Sequence, residues 1–374
     1  MSGSSFPAAG IVARRIETHV AANATTLGLP DDAPQPDAAA IEEMISAAFW
    51  ASLRREEGRA PRISIAYLSP ELSPGALKFE SVFPLGADVL AQLAAAVEPP
   101  GMHLGIGAFD GQLSIWGITR TIPTRCFVLE VVAPGLVVVK YRRPEPLAKY
   151  ANVAVLEGSE VKFIQQQPPS TAEAPPFLGS LFSFYSSAGR NETDNFLIRV
   201  AASMRAYGRG GSLLVVPRDT DEWLSSIVQP VRYAMIPPLA GIDSLLHDNG
   251  QMTDATAASL QPAVDTLTGL TAVDGATVIT DHFEPLAFGV KITPRNGARR
   301  VEQVLLTEPI EGVGDSIVDP ARLGGTRHLS AAQFAHDQRN AVALVASQDG
   351  RFTVFAWSPV RQMVHAYRLE ALLI

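Results

Sequence analysis

"GGTRHLSAAQFAHDQRN", residues 324–340, decides how the C-terminal half of this chain is read. Two glycines and a threonine precede a run whose apolar residues recur at helical spacing. The stretch predicts a helix over about Arg327 to Arg339, with Thr326 as its N-cap. Arg327 and His328 then fall in the first turn, with Arg322 just upstream. Cations there oppose the helix dipole by roughly 0.3 to 1 kcal/mol each. The placement makes sense if an anion sits at that end, held by backbone N–H groups, the Thr326 hydroxyl and a guanidinium fork, with the glycines allowing close approach. The alternative is a capped surface helix whose arginines are solvated, and both readings stand on spacing alone.

Working outward, "TDNFLIRVAASMRAYG" reads as a helix leading to the apolar strand "GSLLVV". A helix in "DATAASLQPAVDTLT", the strand "DGATVIT" and a long loop come before residue 324. After the helix, "AVALVAS" and "RFTVFAW" form a hairpin with Asp349 and Gly350 at its turn. Helices alternating with continuous apolar strands predict a layered α/β domain, a mixed sheet flanked by helices, over residues 179–374. The proline-rich, aperiodic stretch around "QQQPPSTAEAPP" makes residues 165–178 the linker.

Residues 36–164 read as a mixed α/β domain. An amphipathic helix starts at Ala38 and is stopped by Gly58, and a second helix lies in "GADVLAQLAAAV". The strands are "RISIAYL", "LKFESVF", "MHLGIGAF", "QLSIWGI", "CFVLEVV" and "LVVVKY". Residues 1–35 end in a proline cluster and read as an extension, tied on loosely or as a short helix. The fold class is therefore α/β (α+β) in two domains, which a length of 374 residues also favours.

Composition bounds the function. With 47% hydrophobic and 18% charged residues the chain can bury a core. Cys126 is the single cysteine, so neither an internal disulfide nor a thiolate metal cluster can form, and a cytoplasmic location is expected. No apolar run spans a bilayer, no signal peptide is evident, and a net charge of -8 argues against a large nucleic-acid footprint. Neither a phosphate-binding P-loop nor H-E-x-x-H occurs, and "GIGAFDG" lacks the full dinucleotide fingerprint. His336 reads as a surface residue, as do His19, His103, His247, His282 and His365, and Trp116 as a packing residue.

In "TAVDGATVIT" the Asp-Gly pair is first a turn signal. A helix over Pro262 to Leu267 capped by Gly269 leaves little room for a paired strand, so Asp274 is expected to begin a strand instead. Its carboxylate is a candidate ligand for Mg²⁺ or Mn²⁺, which use one or two carboxylates completed by substrate phosphates. Ser347 and Gln348, at the end of the incoming hairpin strand, are candidate polar contacts.

In this order, "GSLLVV", "DGATVI", "GGTRHLSAA" and "VALVASQDGRFTVF" resemble the diadenylate cyclase domain family, also found in DNA-integrity scanning proteins, over residues 179–374. The N-terminal domain resembles the sensor domains attached to such cyclases, particularly the DACNV type. The resemblance implies condensation of two ATP molecules into cyclic di-AMP with release of two pyrophosphates, in a homodimer or higher homo-oligomer whose active sites face each other. By the same resemblance, Asp274, Arg327 and His328 are the catalytic residues, and Asp274 holds Mn²⁺ or Mg²⁺ with Gln348 as a second candidate. Gly275, Ala276, Gly325, Thr326, Ser330 and Ser347 would bind substrate, and a small molecule or protein would be read by the sensor domain. Two positions depart from the family pattern. Leu329 replaces its second arginine and Gln348 its glutamate, which leaves a weak or inactive nucleotide-binding module as the alternative.

Overall fold

The computed structural model describes residues 6–26, 34–56, 58–99, 101–142, 150–165, 192–235, 254–295 and 297–373. The chain divides into two compact units, Met1–Gln165 and Gln166–Leu373. The expected linker lies outside the described residues from position 166 onward, as does His247.

The first unit is an eight-stranded sheet in the order β2 (Leu77–Pro84), β4 (Gln112–Thr119), β3 (His103–Phe109), β1 (Ile63–Tyr67), β5 (Phe127–Ala133), β6 (Leu136–Arg142), β7 (Tyr150–Glu157), β8 (Glu160–Phe163). Among the described residues only β1 and β3 pair in parallel. One face carries α1 (Pro7–Thr26), α2 (Ala38–Ser52) and α3 (Ala87–Leu93). The Asp37 side chain caps α2 by accepting from the Ala40 N–H at 2.8 Å, and the helix ends at Ser52, six residues before the expected stop at Gly58. Ser52 explains the early end, because its hydroxyl donates to the Phe49 carbonyl at 2.6 Å and accepts from the Gly135 N–H in the β5–β6 turn at 2.9 Å.

Residues 7–26 are more than a loose extension. Phe6, Ala9, Val12, Ala13 and Ile16 recur at three- and four-residue spacing and are buried in the core, with Phe6 stacked on Phe49 at 3.9 Å. On the opposite sheet face Trp116 is buried, as expected of a packing residue, and its indole N–H donates to the Leu68 carbonyl at 2.8 Å. Gly105 makes room for it: a Cβ there would lie 2.2 Å from the indole ring, so this glycine serves packing. His103 is buried at 2% exposure, against the surface reading. Its Nδ1 meets the Ser64 hydroxyl at 2.7 Å and its Nε2 the Tyr150 hydroxyl at 2.9 Å. Burial pushes this ring down to about 4, partly opposed by the Glu130 carboxylate.

The second unit is a nine-stranded mixed sheet. Its order is β10 (Tyr233–Ala234), β12 (Pro285–Val290), β11 (Ala276–Thr280), β9 (Gly211–Val216), β15 (Val342–Ala346), β16 (Phe352–Ser358), β17 (Met363–Arg368), β13 (Val304–Thr307), β14 (Ser316–Val318). β9 and β11 are parallel, as are β13 and β17, and the other pairs are antiparallel. α4 (Glu192–Tyr207) and α5 (Asp254–Thr271) pack on one face through Phe196, Val200, Leu260 and Val264. α6 (Thr326–Asp337) packs on the other through Phe334 and through Ala331, Ala332 and Ala335, the alanines letting it lie close to the strands. β9 is buried along its whole length because its two faces serve different layers: Leu213 and Val215 meet α4 and α5, and Leu214 and Val216 meet the α6 side.

Three boundaries differ from expectation. α6 begins at Thr326, with Gly325 as N-cap and no side-chain cap bond, so the threonine is the first helical residue and not the cap. α5 runs through Gly269 to Thr271, and β11 starts at Ala276, leaving Asp274 in the bend between them. The long loop read between residues 281 and 323 contains β12, β13 and β14.

Candidate functional site

Topology gathers the three motifs at one end of the second sheet. β9 pairs with β11 in parallel, Leu213 opposite Thr277, so both strands start at the same edge. β15 runs the other way, with Ala346 opposite Gly211, and ends there. The bend carrying Asp274 and Gly275, the residues Ser347 and Gln348 after β15, and Gly210 before β9 therefore share that edge.

Gly210 is the point of convergence. Its φ of +70 is in the left-handed region, and a Cβ there would lie 3.0 Å from Arg327 Nη1 and 3.2 Å from Gln348 Cγ. The first turn of α6 thus reaches the strand edge through the Arg327 guanidinium. The Gln348 amide donates to the Arg209 carbonyl at 3.3 Å, so its oxygen is not used in that bond. The following turn is closed by the Ser347 N–H to the Arg351 carbonyl at 2.9 Å and anchored to α4 by Arg205 Nε donating to the Gly350 carbonyl at 3.0 Å. Asp349 is exposed and engaged by Arg351 at 3.4 Å.

On the other side, Gly275 has φ +111, and a Cβ there would sit 2.6 Å from the Gly289 backbone. The two glycines let the Asp274 bend lie against the end of β12. Asp274 is exposed, whereas Ala276 is buried as the first residue of β11. Thr326 and Gly325 are exposed, and Ser330 is half-buried one turn further along α6.

His328 differs from its neighbours. The ring is 1% exposed, packs edge-on against Phe355 at 6.0 Å, and has Nδ1 against Gly324, where a Cβ would lie 2.2 Å away. Its Nε2 is buried without a hydrogen-bond partner. Burial pushes its pKa down to about 4, with the Asp349 carboxylate opposing, so the ring is neutral near pH 7 and adds no positive charge. The positive charge of the first turn comes from Arg327.

A divalent cation at this edge would have Asp274 as its carboxylate, with the Gln348 amide oxygen as a neutral donor. Among the described residues no group of three or more His, Cys, Asp or Glu side chains could hold a metal. The donor set fits a magnesium-type ion completed by substrate phosphates better than a closed protein cage. Sequence reasoning missed Gly210, whose role appears only once three strands are aligned. It also missed Tyr233, which is 39% exposed, stacks on Phe288 at 4.9 Å with planes 10° apart, and lies 3.1 Å from where a Gly289 Cβ would be. The two-residue strand β10 gives no periodicity from which that pair could be read.

Comparison with known proteins bears on the first unit. Residues 30–120 match the family DACNV, described as a probable sensor domain. This supports a sensor domain in the N-terminal unit, as its resemblance had implied. No curated protein matches the chain. Among solved structures, the crystal structure of a hypothetical membrane spanning protein from Bacillus cereus is similar over 51% of this chain and 71% of that one, at 17% identity and a TM-score of 0.28. In the present chain, no described helix is long and apolar enough to cross a membrane.

Proposed function

We propose that the second unit binds ATP with Mn²⁺ or Mg²⁺ at the Asp274–Arg327–Gln348 edge and condenses two ATP molecules into cyclic di-AMP, under control of the sensor unit. The observation that carries the reading is the convergence of separate sequence motifs on Gly210. In the reaction the 3′-hydroxyl of each ATP attacks the α-phosphorus of the other, and a pyrophosphate leaves from each. Two bonds to phosphorus form as two break. Arg327 and the open N–H groups of the first α6 turn would hold phosphate, and Asp274 would hold the cation and orient the hydroxyl. The bound cation supplies charge neutralisation at the phosphates. A second molecule faces the first in this scheme, so self-association is part of the proposal.

The test is incubation with ATP and Mn²⁺, then Mg²⁺, with products separated by chromatography and Asp274→Asn as control. Cyclic di-AMP that is lost in the variant supports the cyclase. Saturable ATP binding without product under either metal supports a second reading, a nucleotide-sensing module on the same fold. That second reading is favoured by Gln348, which brings no charge, and by Leu329, 40% exposed where the family carries an arginine.

A further inference from the structure

The opposite end of the second sheet holds a cavity of about 580 Å³, in the range of about 300–1,000 Å³ typical of small-molecule sites. It lies outside the carboxyl end of β9, where open α/β sheets commonly take ligands. Two segments wall it. Asp219, Thr220, Glu222 and Trp223 come from the chain leaving β9, and the α6 C-terminus with the residues after it supplies His336 and Arg339, joined by Arg295. The walls are fixed to each other: Gln338 Nε2 donates to the Glu222 carbonyl at 3.0 Å and to the Ser226 hydroxyl at 2.7 Å. The Asp337 carboxylate accepts from the Arg295 N–H at 2.9 Å and from the side chains of Gln333 at 3.0 Å and His336 at 2.8 Å.

Asp219 and Glu222 line one wall, and Arg295 and Arg339 line the other together with Asp337, whose carboxylate is already engaged by the Arg295 N–H, Gln333 and His336. None of the side chains of Asp219, Glu222, Arg295 and Arg339 makes an ion pair within 4.0 Å among the described residues, and Arg339 lies over the Trp357 ring at 4.0 Å. His336 gives Nδ1 to buried Asp337, which leaves Nε2 as its open position. Trp223 is 7% exposed and its indole N–H has no partner, so the cavity wall also holds an unused buried donor.

We infer that this cavity binds a small zwitterion, a free α-amino acid, with its ammonium toward Asp219 and Glu222 and its carboxylate toward Arg295, Arg339 and His336. A ligand with both charges satisfies both walls, whereas one with a single charge leaves one wall unanswered. The site is independent of the proposed nucleotide edge, because it sits at the other end of β9.

The experiment is calorimetric titration of the full chain with each free amino acid, repeated with the N-acetyl and the carboxamide forms of the best binder. At least one free amino acid should bind with sub-millimolar affinity, and each blocked form at least tenfold more weakly. Glu222→Gln and Arg339→Gln should each weaken binding about tenfold or more and leave the melting temperature of the ligand-free protein within about 2 °C of wild type, as expected of exposed residues. No binding by any amino acid at about 10 mM, or equal binding by free and blocked forms, overturns the inference. So does binding that both variants leave unchanged.

Discussion

The Arg327 guanidinium lies beside Gly210, while the His328 ring, one residue on, packs against Phe355 and is neutral near pH 7, so a pair that reads as two cations in sequence supplies one in the fold. Arg327→Ala is expected to weaken ATP binding about tenfold or more, the loss of a charge-assisted hydrogen bond worth about 1.5–3 kcal/mol. His328→Phe removes a buried nitrogen without a partner and should leave stability unchanged or raised, with less than about a threefold effect on ATP affinity. Calorimetric titration and urea unfolding of the two variants separate the roles. Tyr233→Ala should weaken ATP binding by roughly tenfold if the exposed ring carries the base, since aromatic stacking is worth about 1–3 kcal/mol per base. The two buried histidines also set a pH dependence. His103 and His328 both titrate near 4 in the folded chain, below the ordinary value of 6.5, because burial penalises their charged forms. The unfolded chain therefore binds more protons in that window. The stability they contribute is complete above about pH 6.5 and is lost as pH falls to about 4. Urea midpoints measured across this range should decline, and His328→Phe should reduce the slope.

Among elements, those with strong periodicity or continuous apolar runs were legible in sequence. "GSLLVV" became β9 because a strand buried on both faces has no polar alternation to find, and "CFVLEVVAPGLVVVKY" became β5 and β6 about a Pro134-Gly135 turn. β13 and β14 were lost in the expected loop because four and three residues are too few for a period. α1 was underestimated because a proline cluster separates it from the rest of its core, although Ala9, Val12, Ala13 and Ile16 carry the helical spacing. At the site, the identities of Asp274, Arg327 and Gln348 were legible as motifs, while the meeting of Arg327 and Gln348 at Gly210, and the placement of Asp274 at the same sheet edge, depend on strand register that the linear sequence does not display. α6 is held by its apolar stripe more than by its uncapped start. Phe334→Ala, at a fully buried position, should cost about 3–5 kcal/mol in urea unfolding, and the nucleotide edge should loosen with it.

For the whole molecule, the cyclase reading requires two copies to act together. Product formed per subunit should fall steeply on dilution, and a rate independent of concentration through the monomer range would contradict it. The two-sided burial of β9 has a consequence for how the second unit comes apart. Leu213 and Leu214 are adjacent yet belong to opposite layers, so stripping away either set of helices leaves the central strand half wetted. Neither layer can melt as an independent foldon. The amide protons of β9, β11 and β15 should then exchange with solvent only through global opening, at one common free energy, although the described residues of the unit form two separate apolar cores.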